Sequence, residues 1–223
     1  MRPRRRSPGR PRPRRETSIV RNRREMLRAG AAAVLLAGSA VPVRAADDPA
    51  VALVEALVAT FQEALKQPDV RGRASVLAEP LARSFDLPAM LRLAIGTRWK
   101  DIPADKQAAL TEAFGPYLTA TYATRLAAAA GSTFAVQPKS EARGPGRLVQ
   151  STVTDRSGDP SPVDYVIGPD GKITDVFLQG TVSEAGTLRT GFSEPLKEGG
   201  PDALLAHLRK STETMLAASP PKP

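Results

Sequence analysis

From Asp47-Asp48-Pro49 onward the chain takes on a helical period. Val51, Val54, Val58, Phe61 and Leu65 recur at spacings of three and four, which puts them on one helical face. The acids and the proline before them suit a helix start, and Gln67-Pro68 suits its end. The pattern predicts a short helix over Ala74 to Arg83, and another over Leu87 to Ile95, capped by Asp86 and stopped at Gly96. Pro103 opens the longest predicted helix, which runs to Ala130 with Leu110, Phe114, Tyr117, Leu118, Tyr122 and Leu126 along one side. Pro116 lies in its middle, where it removes a backbone donor and predicts a kink.

After Gly131 the period becomes two. Phe134 to Pro138, Arg147 to Asp155, Pro162 to Ile167 and Lys172 to Gln179 read as strands, separated by turns such as Gly144-Pro145-Gly146 and Pro169-Asp170-Gly171. Turns this short join antiparallel neighbours. Helix returns at Ser183-Glu184, breaks at Gly199-Gly200 and resumes at Pro201-Asp202, and Ala217 to Pro223 reads as a disordered tail. Helices, a meander, then helices predict an α+β domain over residues 46–216. It has an antiparallel sheet of about four strands with helices packed on one face.

Charge changes the picture of the first 45 residues. They hold 13 of the chain's 32 basic groups, all arginine, and two of its 23 acids, so the remainder carries 19 basic and 21 acidic groups, a net of −2. The formal +9 of the whole chain therefore belongs to its start, and no basic stripe remains for nucleic acid. Arg23-Arg24, the 13-residue apolar stretch Ala29 to Val41, and Val43-Arg44-Ala45 follow in the order of a twin-arginine export signal. Cleavage is expected between Ala45 and Ala46, with the working domain delivered to the periplasm. The alternative is an uncleaved inner-membrane anchor.

Candidate chemistry is sparse. Cysteine is absent, which excludes disulfides, thiol catalysis and thiolate metal sites, and His207 is the single histidine. No nucleophile elbow, phosphate loop or zinc motif occurs. Asp155, Asp159, Asp164, Asp170 and Asp175 match no calcium-loop spacing. The expected cofactor set is empty, with neither a metal site nor a catalytic residue. On the strands, Val149 and Val153 share one face, Val176 and Leu178 share one face, and Asp175 and Gln179 take the other. Periodicity alone favours an ordinary close-packed core, and composition does not separate that core from an apolar pocket.

Three runs in the first half carry a resemblance: Phe85-Asp86-Leu87-Pro88-Ala89-Met90, Ile95-Gly96-Thr97-Arg98-Trp99, and Phe114 with Tyr117-Leu118 and Thr121-Tyr122-Ala123. In the second half Val163-Asp164-Tyr165, Asp175 through Glu184, Arg189, Phe192 and Gly199 through Leu204 agree with it. Together they resemble the toluene-tolerance family, which contains the periplasmic lipid shuttles of Mla-type ABC transport systems, over about residues 50–210. The wording from Asp175 to Glu184 is similar to the hopanoid-associated HpnM branch. The sequence departs from the family at Pro116, and at Asp170-Gly171-Lys172-Ile173, where a tryptophan is common.

The resemblance implies a lipid cavity between sheet and helices and a carrier rather than an enzyme. It implies a phospholipid or hopanoid-type lipid as cargo, an inner-membrane lipid ABC transporter as partner, and action as a monomer. The lining residues it implies, with the strand valines above, are Phe85, Met90, Ile95, Trp99, Tyr117, Leu118, Tyr122, Val149, Val153, Tyr165, Val176 and Leu178. The readings kept beside it are an accessory protein associated with hopanoid biosynthesis and an enzyme on a cone-like α+β scaffold with an aspartate as base.

Overall fold

The structure is a computed structural model, and it describes residues 48–218. The export leader read from Arg23, Arg24, Ala45 and Ala46 lies outside the described residues.

Three helices come first, α1 (Pro49–Ala64), α2 (Val70–Ser84) and α3 (Leu87–Ile95), followed by a 3-10 turn (Gly96–Asp101) and the long α4 (Ala104–Arg125). Each of the first three starts on an aspartate. Asp48, Asp69 and Asp86 accept the backbone N–H of Ala50, Gly72 and Ala89, one of the donors that a helix start leaves free. The cap at Asp69 starts α2 four residues ahead of the expected Ala74, because Gly72 sits in the first turn and masks the helical period. α4 stays helical through Pro116 and ends at Arg125, where the chain tightens into a 3-10 turn (Leu126–Ala129) instead of continuing to Ala130.

The sheet contains the four expected strands and two short ones. β1 (Thr133–Val136), β3 (Gly146–Thr154), β4 (Pro160–Ile167), β5 (Ile173–Leu178) and β6 (Val182–Ser183) pair antiparallel in that order, and β2 (Glu141–Arg143) pairs with the start of β3. Both short strands depend on turn chemistry. At the β2–β3 turn a Cβ on Gly146 would fall 2.0 Å from the Ile167 carbonyl oxygen, so only glycine fits. At the β5–β6 turn Gln179 and Gly180 both take positive φ, 52° and 68°, as a type I′ hairpin requires.

The register aligns Val149, Tyr165 and Val176 across β3, β4 and β5, and likewise Val163 with Leu178 and Phe134 with Val153. Partners in register share a face, so these residues form one apolar surface under the helices. On the other face Phe177 is covered by the Arg143 guanidinium, 4.9 Å from its ring centre, rather than by a loop or helix.

The last helix, α5 (Glu184–Ala217), is bent at Gly199-Gly200, whose backbone angles are non-helical. Ala217, expected to open the tail, is its final residue. The core runs continuously from Val54, Leu57 and Phe61 on α1 through Leu81, Met90, Phe114 and Leu118 to Val149, Ile173, Phe192 and Leu204.

Candidate functional site

Where the C-terminal ends of α1 and α4 lie over the sheet, a cleft of about 190 Å³ remains. Its floor is strand: Phe134, Val153, Val163, Tyr165, Val176 and Leu178. The opposite wall is Phe61 of α1 with Tyr122 and Arg125 of α4 and Leu126 of the 3-10 turn after it, and Glu184 closes one end from the start of α5. The alternation of period two explains the floor, and the spacing of four between Tyr122 and Leu126 explains the wall.

One end of the cleft is charged. Arg125 Nη1 donates to both carboxylate oxygens of Glu184 at 2.8 Å. The Glu184 side chain is only 2 % exposed whereas that of Arg125 is 48 % exposed, so a buried carboxylate is neutralised by a guanidinium that reaches water. Glu184 also stands in the first turn of α5, where the helix dipole favours negative charge.

Tyr122 stacks on Phe61 with centroids 5.7 Å apart and meets Phe85 edge-on at 5.7 Å. Burial first, and then the Glu184 charge, hold its phenol well above the ordinary tyrosine range. Burial also raises Tyr165. Both phenols therefore stay neutral and able to donate. Among the described residues neither hydroxyl has a hydrogen-bond partner, and both rings line the cleft.

Of the twelve residues named from sequence, Tyr122, Val153, Tyr165, Val176 and Leu178 surround this cleft. Val149 sits behind the floor with no exposed surface, and Phe85, Met90 and Leu118 are core beneath the helical wall. Tyr117 lies elsewhere, in an aromatic cluster with Phe114, Phe192 and His207. Ile95 borders a separate surface pocket, and Trp99, half-buried in the 3-10 turn, presents its carbonyl to Gln107 Nε2 at 3.0 Å.

Sequence reading missed Phe61, Arg125, Leu126, Phe134, Val163 and Glu184. Phe61 and Leu126 were already on helix stripes. Arg125 and Glu184, 59 residues apart, carried no local signal of their pairing.

Three of the five aspartates considered as acids or metal ligands, Asp155, Asp170 and Asp175, accept hydrogen bonds from the surrounding structure. Asp155 accepts the backbone N–H of Ser157 and Asp159 in its own turn. Asp175, expected on the outer face, is buried: it accepts from Val176 N, from Ala185 N at 3.0 Å and from Ser183 Oγ at 2.6 Å, and so ties the start of α5 to β5. None of the five lines the cleft. Among the described residues no group of three His, Asp or Glu side chains is placed to hold a metal ion.

An α+β sandwich with an apolar cleft between sheet and helices, charged at one end, defines a binding protein for an amphiphile. The chain belongs to the MlaC family, whose model matches residues 52–210. Among solved structures it is similar to the phospholipid-binding protein from Ralstonia solanacearum in complex with a phospholipid, at 25 % identity and a TM-score of 0.61. That likeness covers 74 % of this chain and 98 % of the other. A comparison with curated proteins gives no match.

Proposed function

We propose that this protein is a periplasmic lipid carrier that holds the acyl part of a phospholipid in the cleft between the sheet and the ends of α1 and α4. The polar end of the lipid lies beside Arg125 and Glu184. The observation that carries this reading is the cleft itself: apolar walls, two neutral phenols in the lining and an ion pair at one end. Membership of the MlaC family and the phospholipid bound by the Ralstonia solanacearum protein support it. Among the described residues no helix is long and apolar enough to cross a membrane.

The physical need is plain. A two-chain lipid exposes on the order of 30 CH₂ groups, each about 0.8 kcal/mol more stable out of water. It does not cross an aqueous space unaided. At about 190 Å³ the cleft falls below the roughly 300–1,000 Å³ of pockets that take drug-sized ligands. Loading therefore requires the helical wall to part from the sheet. Unloading requires a membrane-bound acceptor that shifts the open and closed populations, and an inner-membrane lipid ABC transporter fills that role. No step needs a catalytic group.

Delivery to the periplasm rests on Arg23-Arg24 and the apolar stretch after it. Changing both arginines to lysine is expected to leave the precursor in the cytoplasm, and unchanged periplasmic yield would rule out the twin-arginine route.

The central test is solvent extraction of the purified protein followed by mass spectrometry. Glycerophospholipid at near-equal molar ratio is the expected result. A triterpenoid in its place would make the HpnM-like wording of residues 175–184 the better guide to cargo. Protein free of lipid, and unable to take any from vesicles, would overturn the carrier reading.

A further inference from the structure

A second site lies away from the cleft, where the end of α3 and the 3-10 turn meet the first half of α5. A pocket of about 330 Å³ there is lined by Thr97, Arg98, Arg189 and Ser193, with Ile95 and Leu196 at its base. Arg189 crosses to α3, donating through Nη2 to the Leu93 carbonyl at 2.5 Å, and its guanidinium lies against Gly96, where a Cβ would sit 3.6 Å from Cζ. The run from Ile95 to Trp99 and the distant Arg189, both part of the family resemblance, thus meet at one place that the lipid cleft does not use.

The chemistry of this pocket is one-sided. It has two guanidinium groups and two hydroxyls and no carboxylate in its wall. Among the described residues neither arginine forms an ion pair and neither hydroxyl has a hydrogen-bond partner, while Glu194, the nearest acid on α5, is turned to Lys197 at 3.6 Å. Two cations facing one hollow repel each other unless an anion joins them. The donor set suits the oxygens of a phosphate.

Beside it stands Leu93, 44 % exposed and one of two large apolar side chains exposed among the described residues. A free phosphate ion has no use for an apolar neighbour. A protein interface wants an apolar core of many side chains rather than one. A single leucine among arginines suits the boundary of a bilayer, where the side chain enters the acyl edge and the cations stay with the headgroups.

We propose that the Arg98–Arg189 pocket and Leu93 form a docking face for an anionic bilayer surface, distinct from the cavity that carries lipid. Because the chain after residue 45 carries a net −2, the molecule as a whole is not drawn to such a surface, and attraction depends on where its cations gather, as they do on this face.

The test is sedimentation with vesicles, using the chain from Ala46. Residues 48–218 hold a continuous core of their own, and a cooperative melt is checked first. Neutral phosphatidylcholine vesicles are compared with vesicles containing about one third phosphatidylglycerol. Sedimentation with the anionic vesicles only is expected, falling at least fivefold for Arg98→Gln and for Leu93→Asn and declining with salt. Arg189→Gln is avoided because it also removes the bond to α3. Leu178→Trp, which blocks the cleft, should sediment like the parent, so failure of the carrier reading leaves this result standing. Equal sedimentation of Arg98→Gln or Leu93→Asn with the parent would overturn the docking face. So would saturation by inorganic phosphate that abolishes the effect of Leu93→Asn, since the site would then serve a free anion.

Discussion

The C-terminal end of α4 faces the sheet across the candidate cleft, while its middle faces α2 across a groove of about 480 Å³. The groove is larger than the cleft and equally apolar, bounded by Ala74, Ala78 and Ala82 of α2, Gly115, Pro116 and Ala120 of α4, and Leu216 of α5. The two hollows have opposite origins. Small side chains leave the groove open because they cannot fill the gap between packed helices, so its size is fixed by the backbones. The cleft is small because Phe61, Tyr122, Tyr165 and Leu178 occupy it, and large side chains change rotamer far more readily than helices move. The smaller hollow is therefore the one able to expand. It also has a charged end, as an amphiphile needs, whereas the groove offers Glu112, Thr111 and Thr119 without a cation. Chemistry, not volume, separates them.

The strongest way to break this comparison is to fill each hollow. Val153→Trp and Leu178→Trp, at half-buried positions on the cleft floor, are expected to cut co-purifying lipid at least tenfold while lipid-stripped protein keeps a cooperative melt. Val176 is a poorer choice: only 1 % exposed, it would be overpacked by a ring, at about 1–3 kcal/mol. Ala78→Trp fills the groove and should leave lipid content unchanged. Loss of lipid from Ala78→Trp alone would move the binding site to the groove. All three must be compared after stripping, since bound lipid raises apparent stability by mass action.

The ion pair sharpens the comparison because only the cleft has one. Arg125→Leu strands a buried carboxylate, and because the guanidinium is half exposed the cost is about 2–3 kcal/mol, below that of a fully buried pair. Arg125→Leu combined with Glu184→Gln should recover most of the loss in urea denaturation. A double variant no more stable than Arg125→Leu would show that the guanidinium matters for packing and not for charge.

Much of this was legible from residue patterns. Four strands, the break at Gly199-Gly200 and five residues of the cleft follow from periods of two and about four and from the quoted family runs. The missing parts share a cause: they depend on contacts remote in sequence. β2 is a strand only because β3 pairs with it, and Phe177 is covered only because Arg143 reaches across the sheet. Asp175 shows the same limit. Alternation placed it outside, yet it holds the start of α5, and with it Glu184, against the sheet. Asp175→Asn should lower stability by about 1–2 kcal/mol, a change that an outward-facing aspartate would not produce. An unshifted melting curve would restore the simpler reading.

The smallest expected effect concerns the far end of the cleft wall. Phe61 is carried by α1, and α1 is anchored at its start by Asp48, whose Oδ2 accepts Ser140 N at 3.0 Å and Ser140 Oγ at 2.5 Å while Arg147 stands 3.5 Å away. The hydrogen bonds from Ser140 hold the Asp48 carboxyl down at about 2, against an ordinary 3.8. A carboxylate with a lowered folded pKa stabilises fully above its unfolded value and loses that contribution as pH falls through the folded one. Asp48 should thus contribute about 1 kcal/mol above pH 4, a figure reduced for its contact with water, and nothing once the pH is below about 2. The check is the difference in urea midpoint between the parent and Asp48→Asn, followed from pH 6 downward. Other carboxylates are common to both proteins and cancel in the difference. The gap should close between about pH 4 and pH 2, and Ser140→Ala should shift that closure to higher pH by removing the hydroxyl donor. A gap that stays constant with pH would mean that Asp48 acts as a neutral cap, and that the link between α1 and the β1–β2 connection does not depend on its charge.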